Sequence, residues 1–283
     1  MLFALIFIDV TISKHQQINY TLSLKIKGIT VLTTQEQLKY SRQIMMDKIG
    51  EQGQIALRNA KVLIVGVGGL GNPVSLYLAA AGVGTLYLAD GDNIELSNLP
   101  RQIQFDEQDI NQNKADVAAE KLSTQFPDSN IEAIDEMLDQ ELCDYYVPQV
   151  DLVLDCSDNI QTRYLINHAC VTHTVPLVIG AATGFDGQQL LVDPRNKDSA
   201  CYHCLFPTSL KAPTDNCQTL GILGPVLAII GGMQALQAIK VLTADGSESN
   251  VQINKLNLYD GLANQWQQFN MKKQQNCNVC GNG

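Results

Sequence analysis

Along the first two-thirds of the chain, short continuous apolar runs alternate with longer stretches whose apolar positions recur at helical spacing. Residues 62–65, 85–89 and 176–180, and the run 151–159 before it turns polar, are β-branched and aliphatic, which suits buried strands. Residues 131–134 form a further strand candidate. Between them, residues 73–81, 114–126 and 160–173 read as helices, the second with Val117, Leu122 and Phe126 as its apolar positions. Residues 33–49 also predict one helix, with Leu38, Ile44 and Ile49 on one side and Thr34 with Gln37 as a capping box. Strand–helix alternation of this kind predicts a Rossmann-like, doubly wound, mostly parallel α/β sheet. Beyond Ala181 the alternation lapses. Residues 188–192 and 251–259 are strand-like without obligatory helices between them, so a mixed or antiparallel C-terminal extension is expected.

Two apolar segments need separate weighing. Residues 220–242 approach the length of a membrane span. Pro225, Gly231 and Gly232 interrupt them, Gln234, Gln237 and Lys240 occupy their second half, and Leu227, Ile230, Leu236 and Ile239 keep helical spacing. That pattern favours a buried core or subunit-contact helix over a membrane segment. Residues 1–12 are apolar too, but too short to span a bilayer. The first lysine, Lys14, follows the run and no small-residue cleavage site appears, unlike a secretory signal. The domain pattern begins at Thr33. Residues 1–32 are therefore set apart as an N-terminal extension, either an appended hairpin or a mis-assigned start, and residues 33–283 form the domain.

A length of 283 residues fits one large α/β domain, and 45% hydrophobic with 17% charged residues fits a soluble enzyme. The net charge of −10, with no basic stripe to offset it, argues against nucleic acid as a partner. No membrane partner is expected either.

The run KVLIVGVGGLGNP, residues 61–73, places G-x-G-x-x-G between the first strand and a helix carrying Pro73 in its first turn. Such glycines let the backbone turn tightly and approach a phosphate, which the helix N-terminus then faces with N–H donors. Asp90 ends the next strand about 20 residues on, where a dinucleotide site places a ribose-binding carboxylate. The motif alone does not choose between a nicotinamide, a flavin and ATP. The charges around it do more. Asp155 and Asp158 stand at the C-terminal end of their strand, where open α/β sheets place ligands. Arg101, Lys114 and Arg42 can neutralise a polyphosphate, and Asp158 can hold magnesium. Three cations exceed what two dinucleotide phosphates need and suit ATP and a phosphoryl centre. The competing readings are solvated surface charges for Arg101 and Lys114, and a cap of the helix at Ile160 for Asp158.

The eight cysteines include two C-x-x-C pairs, Cys201/Cys204 and Cys277/Cys280. Two such knuckles can complete a tetrahedral, all-thiolate zinc site with no open position, so the ion is expected to be structural. Disulfides suit an acidic, cytoplasmic enzyme poorly. Cys156 in a strand and Cys170 in a helix read as inert core thiols. Cys143 is placed after an acidic helix, without a role. Cys217 lies in a polar, proline-containing loop before the long apolar helix, where a thiol can react. His168 and His173, on one helix, read as ordinary helix histidines.

GVGGLG, LSNLPRQ at 96–102, Lys114, DCSDN at 155–159, the C-x-x-C pairs and GILGPV at 221–226 together resemble the ThiF/MoeB/HesA family of ubiquitin-activating-like adenylyltransferases. The resemblance covers residues 33–283. GFDGQQL from Gly184, NCQTLGILGPV from Asn216, LYDGLANQW from Leu258 and CNVCG look like the thiamine branch. The resemblance implies ATP contacts from Gly69, Asp90, Ser97, Asn98, Arg101, Lys114, Asp158 and Asn159, with magnesium on Asp158. It implies a homodimer in which Arg42 reaches the other subunit's ATP site. Its substrate would be the C-terminal Gly-Gly carboxylate of the ubiquitin-like sulfur carrier ThiS, adenylylated for thiazole synthesis, with Cys217 able to link to the activated carrier. Sulfur would come from a separate protein, a cysteine desulfurase or a rhodanese-type donor. The molybdopterin-branch enzyme is the alternative, and a NAD-dependent oxidoreductase the more distant one. The sequence departs from the pattern at Pro100, where relatives often carry a polar residue.

Overall fold

The computed structural model describes residues 31–207, 221–244 and 251–281. Its strands are β1 (Lys61–Val65), β2 (Thr85–Ala89), β3 (Asn130–Ile134), β4 (Leu152–Asp155), β5 (Leu177–Thr183), β6 (Asp186–Val192), β7 (Lys255–Asp260) and β8 (Gln265–Asn270). They form one eight-stranded sheet in the order β3-β2-β1-β4-β5-β6-β7-β8. Neighbours from β3 through β5 are parallel, and β5–β6, β6–β7 and β7–β8 are antiparallel. This is the expected doubly wound sheet with its antiparallel extension. The chain winds outward from β1 to β3 and returns to lay β4 on the other side of β1. The switch point between β1 and β4 is where open α/β sheets bind ligands.

The alternation of side chains divides β1 between two cores. Val62 and Ile64 face one, Leu63 and Val65 the other, all four buried. The first core is closed by α3 (Gly50–Asn59), α4 (Gly71–Ala81), α5 (Lys114–Gln125) and the long α9 (Gly224–Leu242). The second lies under α6 (Gln140–Tyr146), α7 (Ile160–His173) and α8 (Tyr202–Leu205). Two further short helices, α1 (Thr34–Lys39) and α2 (Ser41–Ile44), precede α3.

The helix expected from residues 220–242 is a core helix. Val226, Leu227, Ile230, Ala235, Ala238 and Val241 are buried along its inner face. Gly231, read as an interruption, is where it meets α4 most closely. A Cβ there would lie 2.6 Å from Pro73 Cγ and 2.9 Å from the Leu70 carbonyl oxygen.

The single helix expected over 33–49 is instead α1 and α2, broken at Tyr40. The capping box uses Thr33 and Glu36 rather than Thr34 and Gln37, with both reciprocal bonds formed. Leu38 is 78% exposed, so the supposed apolar side does not face the core. The strand expected from 251 begins at Lys255. Cys143 sits inside α6, not after it, and is buried against the sheet. Leu32 is buried, and the Val31 carbonyl accepts from Arg58. Leu32 therefore packs with the domain. Residues 1–30 lie outside the described residues.

Candidate functional site

The glycine loop leaves β1 through Gly66 at φ +88°, a conformation that favours glycine. A Cβ at Gly66 would stand 2.8 Å from the Cys156 carbonyl oxygen, so this turn adjoins the end of β4. A Cβ at Gly71 would be 2.0 Å from the Gly66 carbonyl oxygen, which no side chain permits. At Gly69 the close neighbour is Leu227 of α9. Gly66, Gly69 and Gly71 thus each answer to a close contact, whereas a Cβ at Gly68 would meet only Gln102 at an ordinary 3.4 Å, and α4 is left with its N-terminus at the switch point.

Asp90 closes the loop from the β2 side. Its carboxylate accepts the Val67 N–H at 2.8 Å and the Asp92 N–H at 3.0 Å. Burial pushes the Asp90 carboxyl above its ordinary value, against the pull of Lys114 and of those two N–H donors. Lys114 opens α5, is buried, and donates Nζ to Asp92 at 2.8 Å. A buried lysine is not a solvated surface charge. Asn113 caps the same helix, accepting from the Ala115 and Asp116 N–H groups, and donates to the Asp90 carbonyl.

The segment after Asp92 folds against this centre. Asn98 is buried and accepts the Glu95 N–H, Ser97 donates to Glu95, and Arg101 reaches back to the Ser97 carbonyl at 2.8 Å. The clamp that holds the segment to α4 is a residue missed from sequence. Asn72, fully buried, donates to the Val67 carbonyl at 2.7 Å and accepts the Gln104 N–H at 2.9 Å. Gln102 is also buried, lies against Gly68, and leaves its Oε1 without a partner. An unpartnered buried acceptor beside a glycine loop fits a site that takes a ligand.

At the end of β4 the two aspartates have different fates. Asp155 is wholly buried and paired with Arg163 at 2.9 Å, so the expectation that it faces a ligand fails. Asp158 is exposed, three residues beyond. It does not cap α7: Asn159 does, accepting the Thr162 N–H at 2.8 Å. Asp158 is thus left at the switch point as a solvated carboxylate, a fitting ligand for a hard, partly hydrated cation.

Gly69, Asp90, Ser97, Asn98, Arg101, Lys114, Asp158 and Asn159 lie on loops and helix starts at the C-terminal ends of β1, β2 and β4. Arg42 does not join them. Its neighbour Gln43 bonds to Gln54 and to the Ala81 carbonyl, at the far end of α4 from the glycine loop. That helix is about 16 Å long at 1.5 Å per residue.

The four thiolates of the C-x-x-C pairs converge, all within 4.8 Å of one another. The Sγ separations are 4.0 Å for Cys201–Cys204, 3.7 Å for Cys201–Cys277 and 3.3 Å for Cys204–Cys280. Tetrahedral zinc with Zn–S of about 2.3 Å sets about 3.8 Å between sulfurs. The cluster fits that ion, and none of the four is in a disulfide. Burial raises the Cys277 thiol, but hydrogen bonds from the backbone at Cys280 and Val279 and from the Cys201 and Cys204 thiols together outweigh it and bring it down to about 6. Burial pushes Cys280 up to about 11 and Cys201 higher. Burial likewise raises Cys143 to about 12, and Cys156 and Cys170 well above the ordinary value, as inert core thiols require. Cys217 lies outside the described residues.

A family model described as the ThiF family matches residues 40–279. The sulfur carrier protein ThiS adenylyltransferase of Escherichia coli (strain K12) is 44% identical over 244 residues, 86% of this chain and 95% of that protein. The adenylyltransferase and sulfurtransferase MOCS3 of Dictyostelium discoideum is 40% identical over 245 residues, 86% of this chain and 57% of that protein. Among solved structures, E. coli MccB with ATP superposes with a TM-score of 0.71 at 26% identity, covering 86% of this chain and 73% of that one.

Proposed function

Because the chain belongs to the ThiF family, we propose that it adenylylates the C-terminal Gly-Gly carboxylate of a ThiS-type sulfur carrier with ATP, for sulfur transfer in thiazole synthesis. The observation that carries the site assignment is the buried Lys114 beside Asp90 and Asp92, at the mouth of the glycine loop. One carboxylate oxygen of the carrier attacks the α-phosphorus of ATP. The bond to the bridging oxygen breaks, and pyrophosphate leaves with the electron pair. The product is an acyl adenylate. Asp90 takes the ribose hydroxyls, and the glycine-loop N–H groups and α4 terminus face the phosphates. Lys114 and Arg101 stabilise the charge that grows on them in the transition state. Asp158 would hold magnesium, which would supply further neutralisation of phosphate charge.

Arg42, on α2 beside the far end of α4, lies too far from its own glycine loop to serve it, which supports a homodimer in which it enters the partner's site. Exposed Met45 and Met46 after α2, Tyr77 on α4 and Leu236 on α9 provide apolar surface for that contact. We propose that the protein acts in the cytoplasm, with sulfur delivered by a separate desulfurase or rhodanese-type donor. A molybdopterin-branch carrier is the second reading, favoured by the 40% identity to MOCS3. Pyrophosphate–ATP exchange with each purified carrier decides between them. Exchange with the ThiS-type carrier alone is expected, and exchange only with the other would reassign the branch.

Two more outcomes follow from this chemistry. A chain beginning at Val31, which keeps Leu32 buried, should retain exchange within about threefold, less than one decade of rate. A collapse with the fold intact would place a site element in residues 1–30. Cys217→Ala should leave exchange nearly unchanged, since the first step uses the carrier's carboxylate and no enzyme thiol. It should abolish any thiol-sensitive carrier adduct formed when a thiolate attacks the adenylate and expels AMP. Non-reducing gels report the adduct, and an adduct that survives would move the role to another cysteine.

A further inference from the structure

Two polar side chains lie one helical turn apart on the inner face of α7, Arg163 and Asn167, and both are buried. Arg163 Nε donates to Asp155 Oδ2 at 2.9 Å, and its Nη2 donates to the carbonyls of Ser157 at 2.9 Å and Gly180 at 3.2 Å. The other Asp155 oxygen accepts both the backbone N–H and the hydroxyl of Ser157, at 2.9 and 2.6 Å. Ser157 is therefore fixed through its N–H, its hydroxyl and its carbonyl, immediately before Asp158. The guanidinium also lies 5.7 Å from the centre of the Tyr202 ring. Tyr202 sits between Cys201 and Cys204, and its N–H donates to Asn167 at 2.8 Å. One helix face thus grips the loop after β4 and the first cysteine knuckle at once.

Stability alone is a weak reason for such an arrangement, because replacing a buried ion pair by apolar groups of similar volume is often neutral or better. What an apolar packing could not do is fix a carbonyl and an N–H of the loop relative to the knuckle.

We propose that Arg163 is a positioning residue that couples the zinc knuckle to the Ser157–Asp158–Asn159 loop, so that metal in the knuckle sets the loop's fit to ATP. The inference rests on the reading of that loop as part of the nucleotide site. Zinc draws Cys201 and Cys204 to a fixed spacing, Tyr202 follows them, and its ring and N–H settle Arg163 and Asn167. The guanidinium fork then holds the residue before Asp158.

Arg163→Lys in the full chain keeps a charge for Asp155 but loses the planar fork. The expected result is about one equivalent of zinc retained, a KM for ATP raised about 10-fold, and a turnover within about threefold of the wild type, since a loosened loop weakens ground-state and transition-state binding alike. Tyr202→Leu removes the ring beside the guanidinium but keeps the Arg163–Asp155 pair and leaves all four thiols in place. It should raise the same KM at least threefold. Stripping zinc with a chelator should raise the KM of the wild type about 10-fold but that of Arg163→Lys no more than twofold. Wild-type KM values in folded, zinc-loaded Arg163→Lys and Tyr202→Leu would overturn the coupling, as would an equal response of wild type and Arg163→Lys to chelation. Asp158→Asn separates the two readings. If it raises the KM while Arg163→Lys does not, only the coupling is lost; if it leaves ATP binding unchanged, the nucleotide reading of the loop falls as well.

Discussion

Lys114→Ala is expected to lower pyrophosphate–ATP exchange about 100-fold or more, roughly 2.7 kcal/mol of transition-state stabilisation. The residue is a buried cation in the first turn of α5, a position where the helix dipole is itself positive and where Asp90 and Asp92 are the local anions. A polyphosphate entering beside Asp90 meets both fields, and the charge that builds on its oxygens as the α-phosphorus is attacked falls within reach of Nζ. The loss should appear in turnover more than in fold stability. Alanine is the best helix former, and the Asp92 side chain left behind is 53% exposed and solvated. Melting temperature within a few degrees of wild type, with exchange down by two decades, is the expected pair of measurements. Arg101→Ala, which removes a more exposed cation held by the Ser97 carbonyl, should fall by the same order. Exchange within threefold of wild type in both variants would place the phosphates elsewhere.

The parts of the fold that were legible in the sequence are those where burial is two-sided. β2 and α7 have the bounds their patterns predict, 85–89 and 160–173, because a parallel strand covered on both faces must be a continuous apolar run and glycine, proline or a cap residue ends it. β8 was not legible for the opposite reason. QWQQFN is an edge strand exposed at every position, so no alternation marks it. α3 was hidden by two glycines within GEQGQIALRN, and α6 by its brevity. The candidate site shows the same division. Glycines, Lys114 and the C-x-x-C pairs announce themselves by spacing. Asp92 and Asn72 act through contacts made 22 and 32 residues away, Arg163 through a carboxylate on the preceding strand, and Gln102 by facing a gap, and spacing carries none of these. Arg163 did leave one sign. It shares a helical face with Ile166 and Cys170, both buried, so a charge stood at a core position of α7. Asp155 and Asp158 show the limit of such reasoning. They are three residues apart at one strand end, and only the presence of Arg163 behind the first makes one structural and leaves the other free.

Cys277→Ser should lose zinc and much of the stability of the C-terminal extension. Serine matches the thiol in size, but its hydroxyl does not ionise near neutral pH and cannot complete the tetrahedron. The pairs it would uncouple lie 76 residues apart. The first pair belongs to the second core, with Cys201, Tyr202 and Cys204 buried, and Cys277, Val279 and Cys280 pack onto it from the chain's end. Metal in this cluster would therefore tie β7, β8 and the tail to the layer that carries α7. A loss of about 3 kcal/mol would lower the melting temperature by about 6–12 °C for a domain of this size class. Zinc affinity should also weaken as pH falls, because Cys201 and Cys280, raised by burial, must lose protons to bind while Cys277 is already largely ionised above about 6. The controlling measurement is non-additivity. A chelator should bring the wild type down to the melting temperature of Cys277→Ser and leave the variant where it is. One equivalent of metal retained by the variant, or an equal further drop in both proteins, would mean that the four thiols are packed together without holding an ion.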